Sequence, residues 1–322
     1  MKSTFQIILL MLLFVQFTVS SSFGQESASN NINWNKFLSA HDLIFDKMPE
    51  SWQEAPYFGN GFIGSMIYGD TANRNQIKIQ AFRTDVQDHR NDSSGWTAYS
   101  RPRLPIGYFT ITLKGKIKNC HLRMHLFTAD ITGNIVTTEG SISLHHFVSA
   151  QKDLIFTKII THGNEKYSLS WHPVEAKSTR VRLFPNSEKV IPFFAKAYGE
   201  KYNQILKVYV PNPPVEIKQT KNISLSVQNL LYGGQYVVAW KEEKLSSNTN
   251  IFIATIKNSY PANNAQTNAE NLISSTSSNS FDKNYKEHIA WWDHFYRKSF
   301  LTIPDKEMEG FYWLQMYKLG CA

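Results

Sequence analysis

Residues 52–69 read WQEAPYFGNGFIGSMIYG, and the choice between two readings of this stretch decides the fold. Gly59, Gly61, Gly64 and Gly69 are set among Tyr57, Phe58, Phe62, Ile63, Met66, Ile67 and Tyr68. Glycine this dense in an apolar run serves positions of positive φ, or places where chain or ligand must come close. A phosphate-cradling loop is one reading. No Lys-Ser/Thr pair follows the glycines, however, and no helical pattern opens after them. The other reading is a tight turn at 59–61 feeding a buried strand that starts at Phe62, and the sequence favours it.

Working outward, β patterns dominate. Residues 77–82, 108–113, 141–147 and 167–171 alternate apolar with polar side chains, and 154–160 and 251–256 are β-branched-rich runs. Residues 230–240 form a further segment broken by Gly233 and Gly234. Between Trp34 and about Thr276 no helical period of useful length is expected. Many strands separated by turn signals predict a mainly β fold, a large two-sheet antiparallel β-sandwich. The first 24 residues read differently. Lys2 precedes an apolar run from Phe5 to Val19, and Ser22-Phe23-Gly24 fits small-x-small cleavage before Gln25. This predicts a signal peptide over 1–24, a secreted or periplasmic protein, and no membrane span in the mature chain.

After the strands the texture changes. Residues 258–280 are rich in Ser, Asn and Thr and read as a loose connection. Tyr285, Ile289, Trp292 and Phe295/Tyr296 then recur at helical spacing, with Asp282 as a plausible cap and Pro304 as a stop. A second helix opens near Asp305 or Lys306. It is apolar nearly all round, so burial inside a larger helical assembly is expected, with nothing else in the chain able to cover it. The expected organisation is a sandwich over 25–276, a helical linker over 277–304 and the first helix of a truncated helical domain over 305–322. Cys120 and Cys321, the only two cysteines, lie far apart in the sequence, so stability must come from a core rather than a disulfide scaffold. The net charge of +8 is scattered without a dense basic run, which argues against nucleic acid as a partner.

The densest polar chemistry is RTDVQDHRNDSSGWTAYSRPR at 83–103, directly after the strand ending at Phe82. Asp85, Asp88 and His89 have oxygen and imidazole groups suited to divalent ions, and two Asp could serve as acid and base. The plainer alternative is a loop held by Arg–Asp pairs and Asp/Asn turn bonds. A third is a sugar-binding cleft with Trp96 and Tyr99 as platforms and Arg/Asp as hydroxyl partners. No second group of ligands supports a metal, and none is assigned. His145 and His146 are neighbours on a strand pattern, so they face opposite ways and share no ion.

The order of 52–69, RLPIGYFTITLKG at 103–115 and LRMHLFTADITGNIVTTEG from Leu122 resembles the N-terminal β-sandwich of glycoside hydrolase family 95, the α-L-fucosidase-like enzymes. The closing WWDHFYRKSFLTIP and EGFYWLQMYKLG resemble that family's linker and first (α/α)6 barrel helix. The resemblance implies an exported glycoside hydrolase that inverts the anomeric centre, with carbohydrate as substrate, no cofactor, and a sandwich that packs on its own barrel. One carboxylic acid protonates the leaving oxygen and a base activates water, the two standing roughly 6.5–9.5 Å apart. In the family both lie in the barrel, so no catalytic residue is assigned here. Candidates for a cleft rim are Asn60, Arg83, Asp85, Asp88, His89 and Trp96, loop residues beside buried strands. Where such fucosidases carry an LNEDTLW-like segment this chain has IQAFRTD at 79–85, which implies a divergent relative acting on a different glycan. A carbohydrate-binding sandwich without chemistry and an inactive truncated remnant are the alternatives.

Overall fold

The computed structural model describes residues 32–70, 72–90, 103–177 and 210–322. The signal-peptide reading, Trp96 and Tyr99 fall outside them. Fourteen strands form two wholly antiparallel sheets among these residues. The smaller runs β10-β5-β4-β3-β2, with β2 at Tyr57–Gly59, β3 at Ile63–Gly69, β4 at Gln76–Arg83, β5 at Gly107–Leu113 and β10 at Tyr167–Pro173. The larger runs β1-β6-β7-β8-β9-β14-β13-β12-β11. Its strands are β1 (Leu43–Phe45), β6 (Ile117–His125), β7 (Asp130–Thr137), β8 (Gly140–Val148), β9 (Ile155–Gly163), β11 (Glu216–Thr220), β12 (Ile223–Asn229), β13 (Gln235–Lys244) and β14 (Thr249–Ser259). The two-sheet sandwich expected from alternation is therefore present.

The sheets face each other over a core that includes Ile67, Ile79, Phe109, Ile142, Leu144, Ile159 and Phe252, all essentially out of water. The polar pin through this core is His146. Its Nε2 lies 2.7 Å from Ser65 Oγ on the opposite sheet and its Nδ1 lies 2.8 Å from Thr157 Oγ1. Desolvation, with His145 adding to it, pushes its pKa down to about 3, so the pin is a neutral imidazole. His145 points the other way, to Asp130 at 2.7 Å, as strand alternation requires.

A second core covers the outer face of the large sheet, where Phe147, Phe156, Val237, Ala239, Ile251 and Ile253 meet helices. Burial on both faces explains why 154–160 and 251–256 are apolar without alternation. One of the covering helices corrects the sequence reading. Residues 258–280 are not a loose connection: β14 runs on to Ser259, and a helix spans Ala265–Ser274. Ala265, Ala269 and Ile273, one turn apart, are fully buried against the sheet, and the Ser and Asn content is the solvent face of that helix. A short helix at Trp34–Leu38 is likewise new. In chain order the helices are α1 (Trp34–Leu38), α2 (Ala265–Ser274), α3 (Phe281–Tyr296) and α4 (Lys306–Cys321).

Helix α3 follows its expected period, but its buried stripe is Phe281, Asn284, His288, Trp292 and Tyr296. Two polar residues sit in that stripe because both have partners on the sandwich. Asp282 lies in the first turn of α3 rather than capping it, the N-cap being Ser280. Helix α4 begins where expected, at Lys306, with Asp305 as its N-cap accepting from Glu307 N and Met308 N.

The expectation that nothing in the chain could bury α4 is only half right. Trp313 and Tyr317 are fully buried among Trp34, Phe37, Tyr57, Trp292 and Tyr296. Glu309 is 1% exposed and accepts from Thr302, Ile303 N and Lys306, while His41 Nε2 stands 3.1 Å away. The Thr302 hydroxyl, with Lys306 and the Ile303 amide assisting against desolvation, holds the Glu309 carboxyl down at about 2. The opposite face keeps Met308, Phe311 and Leu319 more than half exposed.

The glycines of 52–69 serve this docking. Phe62 is not in the strand and is 55% exposed; the turn ahead of it accepts the last turn of α4. Gly61, at φ +87°, donates its N–H to Cys321 O at 3.0 Å. A Cβ on Gly59 would stand 2.6 Å from that same oxygen. On the helix side, a Cβ on Gly320 would meet the Trp292 ring at 2.4 Å. Gly59→Ala should therefore push the end of α4 off the sandwich at a cost of about 1–3 kcal/mol. Urea unfolding should read the loss, and hydrogen exchange should speed up at residues 317–322 while the amides of β13 and β14 stay protected.

Candidate functional site

The polar residues singled out in the sequence collect around the end of β4 and the turn that precedes β3. Arg83, the last residue of β4, is 8% exposed and makes four kinds of contact. It donates to both oxygens of Asp85, at 2.6 and 3.0 Å, to Asp153 Oδ2 at 2.8 Å, and to Ile256 O at 2.8 Å. Its guanidinium also lies 5.5 Å from the centre of the Phe62 ring. Asp153 receives a second cation, Lys257 Nζ at 2.8 Å. Burial alone would raise the Asp153 pKa; Lys257 and Arg83 outweigh it and hold the carboxyl below its usual range.

Asn60 acts on the same region from the glycine turn. Its amide donates to Ser149 O and Lys152 O, both at 3.0 Å, and its Oδ1 accepts from Phe62 N and Ile63 N. The β8–β9 loop at 149–154 is thus gripped by Asn60 on one side and by Arg83, through Asp153, on another. A third grip comes from α3. Ala150 N donates to His288 Nδ1, and Lys152 Nζ donates to Asn284 and Glu287. His288 Nε2 then faces Thr128 O at 2.9 Å, and desolvation pushes this ring down to about 4, so it is neutral. The sequence reading missed Asp153, Lys152, Asn284 and His288. The one signal was their unusual place, two polar residues at core positions of a helix and a charged pair, Lys152-Asp153, between two apolar strands.

Asp88 and His89 belong to a neighbouring group. Asp88 is 1% exposed and pairs with Arg90, which also donates to Val210 O. Asn212 donates to Asp88 Oδ2 and to Ala176 O. His89 stacks on Tyr260, with ring centroids 3.4 Å apart. Asn258, two residues before Tyr260, donates to Asp85 O at 2.8 Å.

The arrangement therefore brings Arg83, Asp85 and Asn60 to one loop and sets Asp88 and His89 beside it. Each of Asp85, Asp88 and Asp153 faces a cation. A general acid at neutral pH needs a carboxyl whose pKa is raised, and Asp153 is shifted the other way. Among the described residues no three His, Cys, Asp or Glu side chains converge as a metal site, and Asp85 and Asp88 are each paired with an arginine. No described helix is long and apolar enough to cross a membrane.

No family model matches this sequence, and no curated protein matches it. Solved structures do. One, provisionally described as a kojibiose phosphorylase from the human microbiome, matches with a TM-score of 0.51 at 11% identity, over 83% of this chain and 36% of its own. A bacterial glucoamylase complexed with acarbose gives a TM-score of 0.41 at 8% identity, over 87% of this chain and 44% of its own. Both are carbohydrate-active enzymes, and this chain spans less than half the length of each. At such identity the likeness to the phosphorylase is one of fold.

Removing one partner of a buried ion pair leaves the other charge uncompensated. Arg83→Met should accordingly cost about 3–5 kcal/mol in urea unfolding, whereas Asp85→Asn, whose side chain is 39% exposed, should cost about 1 kcal/mol or less. Because the Asp153 pKa is depressed on folding, its contribution is complete above the ordinary carboxylate range and is lost as pH falls through the lower, folded value. Asp153→Asn should flatten that acid limb of the stability profile.

Proposed function

We propose that the chain is the N-terminal sandwich and linker of an exported glycoside-processing enzyme, and that the bond is cut with inversion by an acid and a base carried on helices outside residues 1–322. The observation that carries the reading is the fold shared with the phosphorylase across 83% of this chain. The apolar face that α4 holds in water, formed by Met308, Phe311 and Leu319, suits packing against further helices. On this reading Arg83, Asp153 and Asn60 fix the sandwich to the linker. Asp85, the most exposed carboxylate of the cluster, His89 and Trp96 are the candidates for the rim of the cleft. The substrate is a glycan or oligosaccharide side chain. The enzyme is fucosidase-like, and the 79–85 departure from the fucosidase pattern supports a different glycan as its substrate.

A second reading replaces water by inorganic phosphate, since the better-matching structure is described as a phosphorylase. The two differ in one product. Protein expressed from the whole reading frame should be incubated with 2′-fucosyllactose and with kojibiose, with and without phosphate, and the first-formed anomer followed by NMR. Release of a free sugar of inverted configuration without phosphate is expected. A strict phosphate requirement would move the assignment to phosphorolysis, and a retained configuration would overturn the inverting mechanism. Export is checked by the mass of the secreted protein, whose chain should start at Gln25.

A further inference from the structure

We infer that Tyr232 and Tyr260 form a platform for a neutral oligosaccharide, a site that rests on the glycan reading above and gives it a place of attachment. Both rings are half in water, at 50% and 51% exposure, and Tyr260 packs against the turn that carries Tyr232. Tyr232 lies within the turn closed by Leu230 N donating to Gly234 O at 3.0 Å. Tyr260 follows directly on β14.

Neither ring is loose. The His89 imidazole lies flat on Tyr260, the planes 16° apart. Gly234, at φ +89°, brings its backbone so close that a Cβ there would stand 3.1 Å from the Tyr260 ring and 2.9 Å from Ser259 O. The Arg90 guanidinium sits 5.4 Å from the centre of the Tyr232 ring and is itself held by Asp88 and Val210 O. Asn212 accepts from Leu231 N while donating to Asp88, so the turn that carries Tyr232 and the strand of chain at 88–90 form one frame.

The chemistry suits a sugar. A pyranose has a face of C–H groups rimmed by hydroxyls, and a tyrosine has an apolar ring with a phenol at its edge. Rings fixed before binding lose little conformational entropy when a ligand is laid on them. The Asp88–Arg90 pair neutralises its own charge, which leaves no reason to prefer an ionic ligand. Burial, partly opposed by Asp88, holds His89 below the usual imidazole range, so it backs Tyr260 as a neutral ring. Its Nε2 is out of water without a hydrogen-bond partner among the described residues.

The test is a titration of the full-length protein with 2′-fucosyllactose and with kojibiose, read by saturation-transfer NMR and calorimetry. Wild type should bind at least one of them. Tyr232→Ala and Tyr260→Ala should each weaken it by about tenfold in a protein that stays folded, while Tyr→Phe at either position should keep the affinity. Unaltered affinity in the double Ala variant overturns the platform alone if the protein still turns over sugar. Failure of wild type both to bind and to cleave either sugar overturns the platform and the glycan reading together. Variants that lose self-association, with sugar affinity intact, would mark the rings as a protein interface and overturn the proposal.

Discussion

The structure hangs on a backbone-to-backbone contact, the last turn of α4 seated on the turn at 59–61. Gly61 donates to Cys321 O, and Gly59 leaves no room there for a side chain. Helix termini leave carbonyls that need partners, and here the sandwich supplies one. The seat is reinforced by side chains: Tyr317 donates its hydroxyl to Tyr57 O, and Trp292 lies over Gly320 with its ring stacked on Tyr317. The turn is in turn fixed by Asn60, which ties it to the loop at 149–154 with two hydrogen bonds and closes the turn itself by accepting from Phe62 N and Ile63 N. Through that loop the contact extends to Arg83, Asp153 and α3. Sandwich, linker and α4 are thereby one continuous piece.

That continuity bears on function. On the proposed reading a catalytic pair must straddle a glycosidic bond and tolerates little displacement, so a linker that swung freely would serve it poorly. The polar stretch after β4 spends its charges on rigidity: Arg83 is saturated by two carboxylates and a carbonyl, and Asp88 by Arg90 and Asn212. Among the described residues, Tyr232, Tyr260 and the partly exposed Asp85 face water at this end. On the proposed reading the described chain positions and holds, and the bond-breaking carboxylates stand elsewhere.

Much of this was legible from residues alone, for reasons that differ by element. Alternation at 77–82 and 108–113 reported a sheet with one wet face, and the unbroken apolar runs at 154–160 and 251–256 reported strands buried on both faces. The helix at Ala265–Ser274 was hidden because its buried stripe is built from alanines, whose pattern vanishes in a Ser/Asn-rich background. The fate of Asn60 and Arg83 was hidden for another reason. Their partners, Ser149, Lys152, Asp153 and Ile256, lie 70 to 173 positions away in sequence, and no local pattern encodes such a pairing. The glycines at 59 and 61 were correctly read as serving close approach. That the approaching chain is the end of α4 follows only from the packing.

The most direct test of this account is a crystal structure of the full-length protein with an uncleaved oligosaccharide. The account predicts the scissile bond between two carboxylates on helices beyond residue 322, roughly 6.5–9.5 Å apart, with Arg83, Asp88 and Asp153 paired as they are here. A scissile bond lying against Asp85 or Asp88, with Arg83 or Arg90 turned to the sugar, would contradict it.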